Sequence, residues 1–121
     1  MLRGLRIFLV EDEGPVAMLI EDMLDELGCR VVASAASVAE ALSYVAQDEF
    51  DLALLDINVA GERIDPVVAV LQSRGIPIIF ASGYGTAGLQ RDWQDVPILQ
   101  KPFRLQQLKE LLSANRSAGP V

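Results

Sequence analysis

Two short, unbroken apolar runs, Ile7 to Val10 and Leu52 to Leu55, each stop against a carboxylate, Glu11 in the first case and Asp56 in the second. A run of that length without polar alternation marks a strand covered on both faces, which is the habit of parallel sheets. Val31 to Ala33, Ile76 to Ala81 and Pro97 to Gln100 read as three further strands. Segments of helical period separate them. After Pro15, residues Val16, Ile20, Met23, Leu24 and Leu27 recur on one face, and Gly28 supplies the stop. Ser37-Val38-Ala39-Glu40 is a capping box ahead of Ala41, Leu42 and Val45. Asp65-Pro66, read as a cap and a first-turn proline, opens a helix to Arg74 that Gly75 closes, and Leu105, Leu108, Leu111 and Leu112 form the stripe of a last helix. Gly83 to Asp95 carries three glycines, with Leu89 and Trp93 as its large apolar residues, so a fourth helix there is expected to be short and poorly anchored.

Alternating βα units predict an α/β fold, a five-stranded parallel sheet with helices on both faces. At 121 residues, half of them hydrophobic, the chain has material for one core. The expectation is a single domain over 1–121, with its core at about 5–115 and 116–121 as a disordered tail. No stretch of about 18 uncharged apolar residues occurs, as a membrane span would need. Met1 to Gly4 lead straight into a strand-like segment, without the apolar stretch and cleavage site of a signal peptide. With the lone Cys29 read as a small buried hydrophobe, these features point to a cytoplasmic protein. The net charge of −7 opposes contact with phosphate backbones, so no nucleic-acid partner and no membrane partner is expected. The absence of histidine excludes His-based general-base catalysis, His-ligated zinc and a histidine phosphoacceptor. Any metal must be held by oxygen atoms, which favours a hard cation such as Mg²⁺.

In a doubly wound sheet, ligands bind beyond the carboxyl ends of the strands. The residues there are Glu11 and Asp12, then Asp56, Ser82 and Lys101. Three clustered carboxylates repel one another, and a divalent cation relieves that cost. Asp56, on the central strand, is the best-placed nucleophile for a phosphorus centre, with Ser82 and Lys101 to hold the remaining phosphoryl oxygens. Each residue alone has a plainer reading. Glu11-Asp12-Glu13 could serve a helix dipole, Asp56 a turn, Ser82 the turn at Gly83, and Lys101 could be a solvated charge. Their coincidence at four strand ends is what points to phosphoryl transfer.

Ile7-Phe8-Leu9-Val10-Glu11-Asp12-Glu13, Asp51 to Asp56, Phe80-Ala81-Ser82-Gly83 and Lys101-Pro102-Phe103 together resemble the receiver domains of two-component response regulators, over about residues 5–115. The resemblance implies a flavodoxin-like (βα)5 fold with strand order 2-1-3-4-5. It implies that Asp56 is the phosphoacceptor and that Mg²⁺ is held by Asp12 directly, by Glu11 through water, by Asp56 and by the backbone carbonyl of Asn58. It further implies that Ser82 turns inward on phosphorylation, that Lys101 pairs with the phosphoryl group, and that the Lys101-Pro102 peptide is cis. Glu13 matches the acidic run and reads as helix-start and surface charge.

The sequence departs from the common pattern at Ile98, where receivers often carry an aromatic, and at Ala60, where many have proline. Phe80-Ala81-Ser82-Gly83-Tyr84-Gly85 and the stretch Asp56 to Glu62 resemble the atypical Phe-Ala-Thr-Gly-Tyr subgroup, commonly stand-alone and alphaproteobacterial. Tyr84 and the glycine-rich segment after it are therefore switch candidates in place of an aromatic at Ile98, against the plainer reading of Tyr84 as a surface ring.

The function expected is a bacterial signalling switch rather than an enzyme. A histidine kinase or histidine phosphotransfer protein donates phosphate to Asp56, and Ser82, Lys101 and residues 83–96 change position to alter contacts with a downstream protein. A monomer or weak dimer is expected, with kinase docking on the first helix and the loop after Lys101. Trp93 is either a contact anchor or ordinary core. Two alternatives are a phosphate-independent binding module, disfavoured by the presence of Asp12, Asp56 and Lys101, and a small phosphatase, disfavoured by the lack of a cap or insertion to form a substrate pocket.

Overall fold

The computed structural model describes residues 2–47, 49–83 and 96–115. Its elements run β1 (Arg6–Val10), α1 (Gly14–Glu26), β2 (Arg30–Ala35), α2 (Val38–Val45), β3 (Leu52–Asp56), β4 (Asn58–Val59), β5 (Glu62–Arg63), α3 (Asp65–Ser73), β6 (Ile78–Ser82), β7 (Ile98–Gln100) and α4 (Leu105–Asn115). The main sheet has five parallel strands in the order β2-β1-β3-β6-β7, so the expected order 2-1-3-4-5 is borne out when the strands of this sheet alone are counted. The expected fourth helix and the tail lie outside the described residues.

The unbroken apolar runs become central strands because both faces are covered. Phe8, Val10, Ala53 and Leu55 enter a core shared with α2 and α3. Their alternates, Ile7, Leu9, Leu52 and Leu54, enter a second core shared with α1 and α4. Pro77 and Pro97 each stand one residue before a strand rather than inside it. Neither has an N–H for the ladder, but their carbonyls accept from Ala53 and Phe80, both at 2.9 Å.

Two helix starts differ from expectation. The Ser37 side chain caps α2 by accepting from Glu40 N, whereas the Glu40 carboxylate reaches past Ser37 to accept from Ala36 N at 2.7 Å. At α3 the N-cap position is Ile64, and Asp65 and Pro66 fall inside the first turn. Asp65 is thus not the N-cap residue, and its carboxylate accepts from Arg63 Nε at 3.0 Å. Gly28 and Gly75 end their helices at φ of 85° and 70°, as read from the sequence. Cys29 is buried and unpaired, and burial pushes its thiol pKa up.

The loop after Asp56 is held by its own backbone pairing. Asn58 pairs with Arg63 and Val59 with Glu62 in an antiparallel hairpin. Its two-residue tip, Ala60-Gly61, has φ of 51° and 83°, the paired positive values of a type I′ turn. Glycine takes this conformation readily, while alanine there costs about 1–2 kcal/mol. Ile57, Val59 and Ile64 are buried and anchor the hairpin, and Ile64 N donates to Ile57 O at 2.9 Å.

At the opposite end of the sheet, Arg6 and Asp51 tie β1 to the chain entering β3. Arg6 N donates to Asp51 Oδ2 at 2.8 Å, and the guanidinium contacts both carboxylate oxygens. The side-chain bond from Arg6 holds the Asp51 carboxyl below its ordinary 3.8, against the opposing effect of partial burial. A depressed carboxyl pKa contributes stability above its unfolded value and loses it as pH falls through the folded one. The stability gap between wild type and Asp51→Asn is therefore expected to be full at neutral pH and to narrow as urea melts are taken below the carboxyl's ordinary 3.8. A gap that holds constant over that range would refute the pairing.

Candidate functional site

The ladder register brings the chemically loaded residues to one level. Val10 lies opposite Leu55, so Glu11 follows at the level of Asp56. Asp56 lies opposite Ala81, with Ser82 next in β6. Ser82 lies opposite Gln100, and the backbone N–H of the following Lys101 donates to the Ser82 carbonyl at 2.8 Å.

Lys101 Nζ contacts Glu11 Oε1 at 2.5 Å and Asp56 Oδ2 at 3.1 Å. The Glu11 side chain is 1% exposed and that of Asp56 14%. Burial works against the Lys101 charge, but hydrogen bonds to Glu11 and Asp56 outweigh it and raise the lysine pKa. The other Glu11 oxygen accepts from Glu13 N at 3.1 Å. Asp12 is exposed, and its Oδ2 accepts from Ala60 N at 3.0 Å.

Glu11, Asp12 and Asp56 each offer one oxygen within 4.8 Å of the others. Three carboxylates, with a single ammonium contacting two of them, suit a hard divalent cation and its water ligands. The donor set fits such an ion, as the sequence analysis expected.

Ser82 is buried at the end of β6. Asn58 is exposed at the start of the hairpin. The Lys101-Pro102 peptide is cis, as the resemblance implied. Ile98 is half-buried, lies opposite Phe80 and packs against the core shared with α2 and α3. Tyr84 and Trp93 lie outside the described residues. Sequence reasoning missed the Lys101–Glu11 bond and the hairpin contact to Asp12. The dipeptide Ala60-Gly61 was the one signal for the hairpin, and it is weak with alanine in first place.

Beside Lys101, an apolar groove of about 250 Å³ runs between α1 and the chain entering α4, lined by Val16, Leu19, Ile20, Met23, Pro102 and Phe103. Met18 and Leu19 on α1 are 67% and 55% exposed. No described helix is long and apolar enough to cross a membrane.

A doubly wound sheet with an acidic cluster, a hydroxyl residue and a lysine at its strand ends defines a receiver-type α/β protein. The chain belongs to the response regulator receiver domain family, whose model matches residues 7–113. Members of this family are phosphoryl-accepting signalling switches of two-component systems. The fold and sequence are similar to SdrG from Sphingomonas melonis Fr1, with 35% identity and a TM-score of 0.81 over 94% of this chain and 97% of that one. The anti-anti-sigma factor PhyR from Bartonella quintana shares 32% identity with a TM-score of 0.79 over 91% of this chain, which spans 46% of that protein. The receiver domain of the sensor histidine kinase PA1611 from Pseudomonas aeruginosa PAO1, solved with magnesium in its active-site cleft, shares 26% identity with a TM-score of 0.74 over 92% of this chain and 96% of that one. No curated protein matches the chain.

Proposed function

We propose that this chain is a Mg²⁺-dependent phosphorylation switch in which Asp56 accepts a phosphoryl group from a histidine kinase or histidine phosphotransfer protein. The observation that carries the reading is the convergence of Glu11, Asp12 and Asp56 within 4.8 Å, with Lys101 contacting two of the three. An Asp56 oxygen attacks phosphorus as the phosphorus–nitrogen bond of the donor phosphohistidine breaks. Glu11, Asp12, Asp56 and the Asn58 carbonyl would hold the cation, which neutralises charge on the phosphoryl oxygens when bound. Lys101 and the Ser82 hydroxyl hold the oxygens that remain. The acyl phosphate then shifts a two-state equilibrium in which Ser82, Lys101 and residues 83–96 move, with Tyr84 as the moving ring, and contacts with a downstream protein change.

The groove between α1 and the Lys101–Phe103 chain is the docking face for the phosphodonor, since it is apolar and reaches Lys101, which contacts Asp56. PhyR is called an anti-anti-sigma factor, and a protein partner of that signalling kind is the downstream contact we favour. The protein works as a switch rather than a turnover enzyme, as one cytoplasmic domain with a monomeric or weakly dimeric resting state.

SdrG has been solved in a BeF3-activated conformation, which recommends the same probe here. Acetyl phosphate or beryllofluoride, with and without Mg²⁺, should give an adduct visible by intact mass or a change in Trp93 fluorescence. Both responses should need Mg²⁺ and vanish in Asp56→Asn. A folded protein that responds to neither reagent would remove Asp56 as acceptor and favour the phosphate-independent binding module.

A further inference from the structure

We propose that the β4–β5 hairpin is a positioning device for the cation site, in which the backbone N–H of Ala60 fixes the Asp12 carboxylate. The inference rests on the reading of Glu11, Asp12 and Asp56 as cation ligands and adds a residue whose side chain never touches the ion. Glu11 and Asp56 are each held by Lys101. Asp12 is exposed, and among the described residues Ala60 N is its hydrogen-bond donor, at 3.0 Å across 48 positions of sequence. A carboxylate with one oxygen bonded to a fixed N–H keeps its other oxygen in a narrow range of directions, ready for a metal.

The N–H is fixed because the hairpin is fixed. Val59 and Ile64 are fully buried and Ile57 nearly so, and the ladder continues from Ile64 N to Ile57 O. The tip itself adopts positive φ at Ala60 and Gly61, and that turn places Ala60 N within reach of Asp12. The chain holds a non-glycine residue in a left-handed conformation to do so. Proline at position 60 could not make this contact, for it has no N–H and its ring holds φ near −65°. Residue 60 thereby separates two designs of the same site. In one the loop is restrained by a proline ring; in this chain it is restrained by its own turn and bonded to a metal ligand.

The test is Mg²⁺ affinity of the full chain by calorimetry, without any phosphodonor, for wild type, Asp12→Asn, Ala60→Pro and Ala60→Gly. Ala60→Pro should lose about tenfold or more in affinity, in the range usual for a group that orients a metal ligand. Ala60→Gly keeps the N–H and suits the positive φ, so it should restore wild-type affinity. In the amide spectrum of wild type, the Ala60 N–H should exchange slowly and shift on Asp12→Asn. Mg²⁺ binding by Ala60→Pro equal to wild type would overturn the positioning role and leave the cation reading intact. No binding by wild type would overturn the cation reading, and this inference with it. Should Ala60→Pro fail to fold, an unprotected Ala60 amide that ignores Asp12→Asn overturns the proposal, and a protected one that responds supports it.

Discussion

Lys101→Met is expected to destabilise the cation-free protein by about 3–5 kcal/mol, the range for removing one partner of a buried ion pair. The loss arises from what is left behind rather than from the lysine itself. Glu11 has a side chain only 1% exposed, and Lys101 Nζ at 2.5 Å is the positive charge beside it. Asp56 loses its contact at 3.1 Å in the same step. Two carboxylates then face each other and Asp12 with no other cation paired to them among the described residues. Mg²⁺ should reverse much of the effect, because a ligand at about 100 times its Kd stabilises the native state by roughly 2.7 kcal/mol. The variant should also bind the ion more tightly than wild type, since no ammonium competes for Glu11 and Asp56. Thermal melts across a Mg²⁺ titration check both parts. Equal stability of Lys101→Met and wild type in the absence of Mg²⁺ would show that Glu11 does not depend on this lysine.

The same contact bears on how the switch is read. By resemblance, Lys101 is the partner of the phosphoryl group, yet in this structure its ammonium is committed to Glu11 and Asp56. Pairing with a phosphoryl group on Asp56 asks the lysine to exchange the shorter of its two contacts, the one to Glu11, for phosphoryl oxygens. A cation beside Glu11 makes that exchange easier, because it replaces the charge the lysine removes. Metal binding and lysine movement are in this view one electrostatic event. On the proposed function, that is a physical reason to expect the acceptor reaction to need Mg²⁺.

Much of this arrangement was legible in the sequence. Continuous apolar runs ending in Glu11 and Asp56 declared central strands and their carboxyl ends together, because only a strand covered on both faces tolerates such a run. Strand order and the cis peptide before Pro102 came through family resemblance, since neither has a local residue signal strong enough to stand alone. What stayed hidden depends on partners far apart in sequence. Nothing near Lys101 announces Glu11, 90 positions away. The hairpin was obscured because alanine is an unfavourable residue at positive φ, so local preference pointed away from the turn that the buried Ile57, Val59 and Ile64 enforce. At Asp65 the error had a local cause. The Asp-Pro pair looked like a cap, but the N-cap position falls one residue earlier, at Ile64, and the Asp65 carboxylate accepts from the Arg63 guanidinium two residues back.

Phe8→Ala should be the most damaging change outside the site, at about 3–5 kcal/mol of a total that for such domains is roughly 5–15 kcal/mol. Phe8 is fully buried in β1. Its ring stacks on Phe50 with centroids 4.6 Å apart and meets Tyr44 of α2 edge-on at 6.2 Å. Truncation would open a cavity bounded by β1, α2 and the segment entering β3. Neither Phe50 nor Tyr44 can follow the missing ring without leaving its own contacts. The melting temperature should fall by about 10 °C or more. The site should nonetheless survive in the molecules that stay folded, because the Phe8 side chain points into the α2–α3 core whereas Glu11 and Asp12 lie beyond the end of the strand. Mg²⁺ should therefore raise the melting temperature of Phe8→Ala as it should that of wild type, since a ligand of the native state stabilises it by mass action. A Phe8→Ala protein that melts with wild type would mean the ring cluster does not hold β1. One that melts early but gains nothing from Mg²⁺, under conditions where wild type gains, would mean the core behind β1 also sets the geometry of its end.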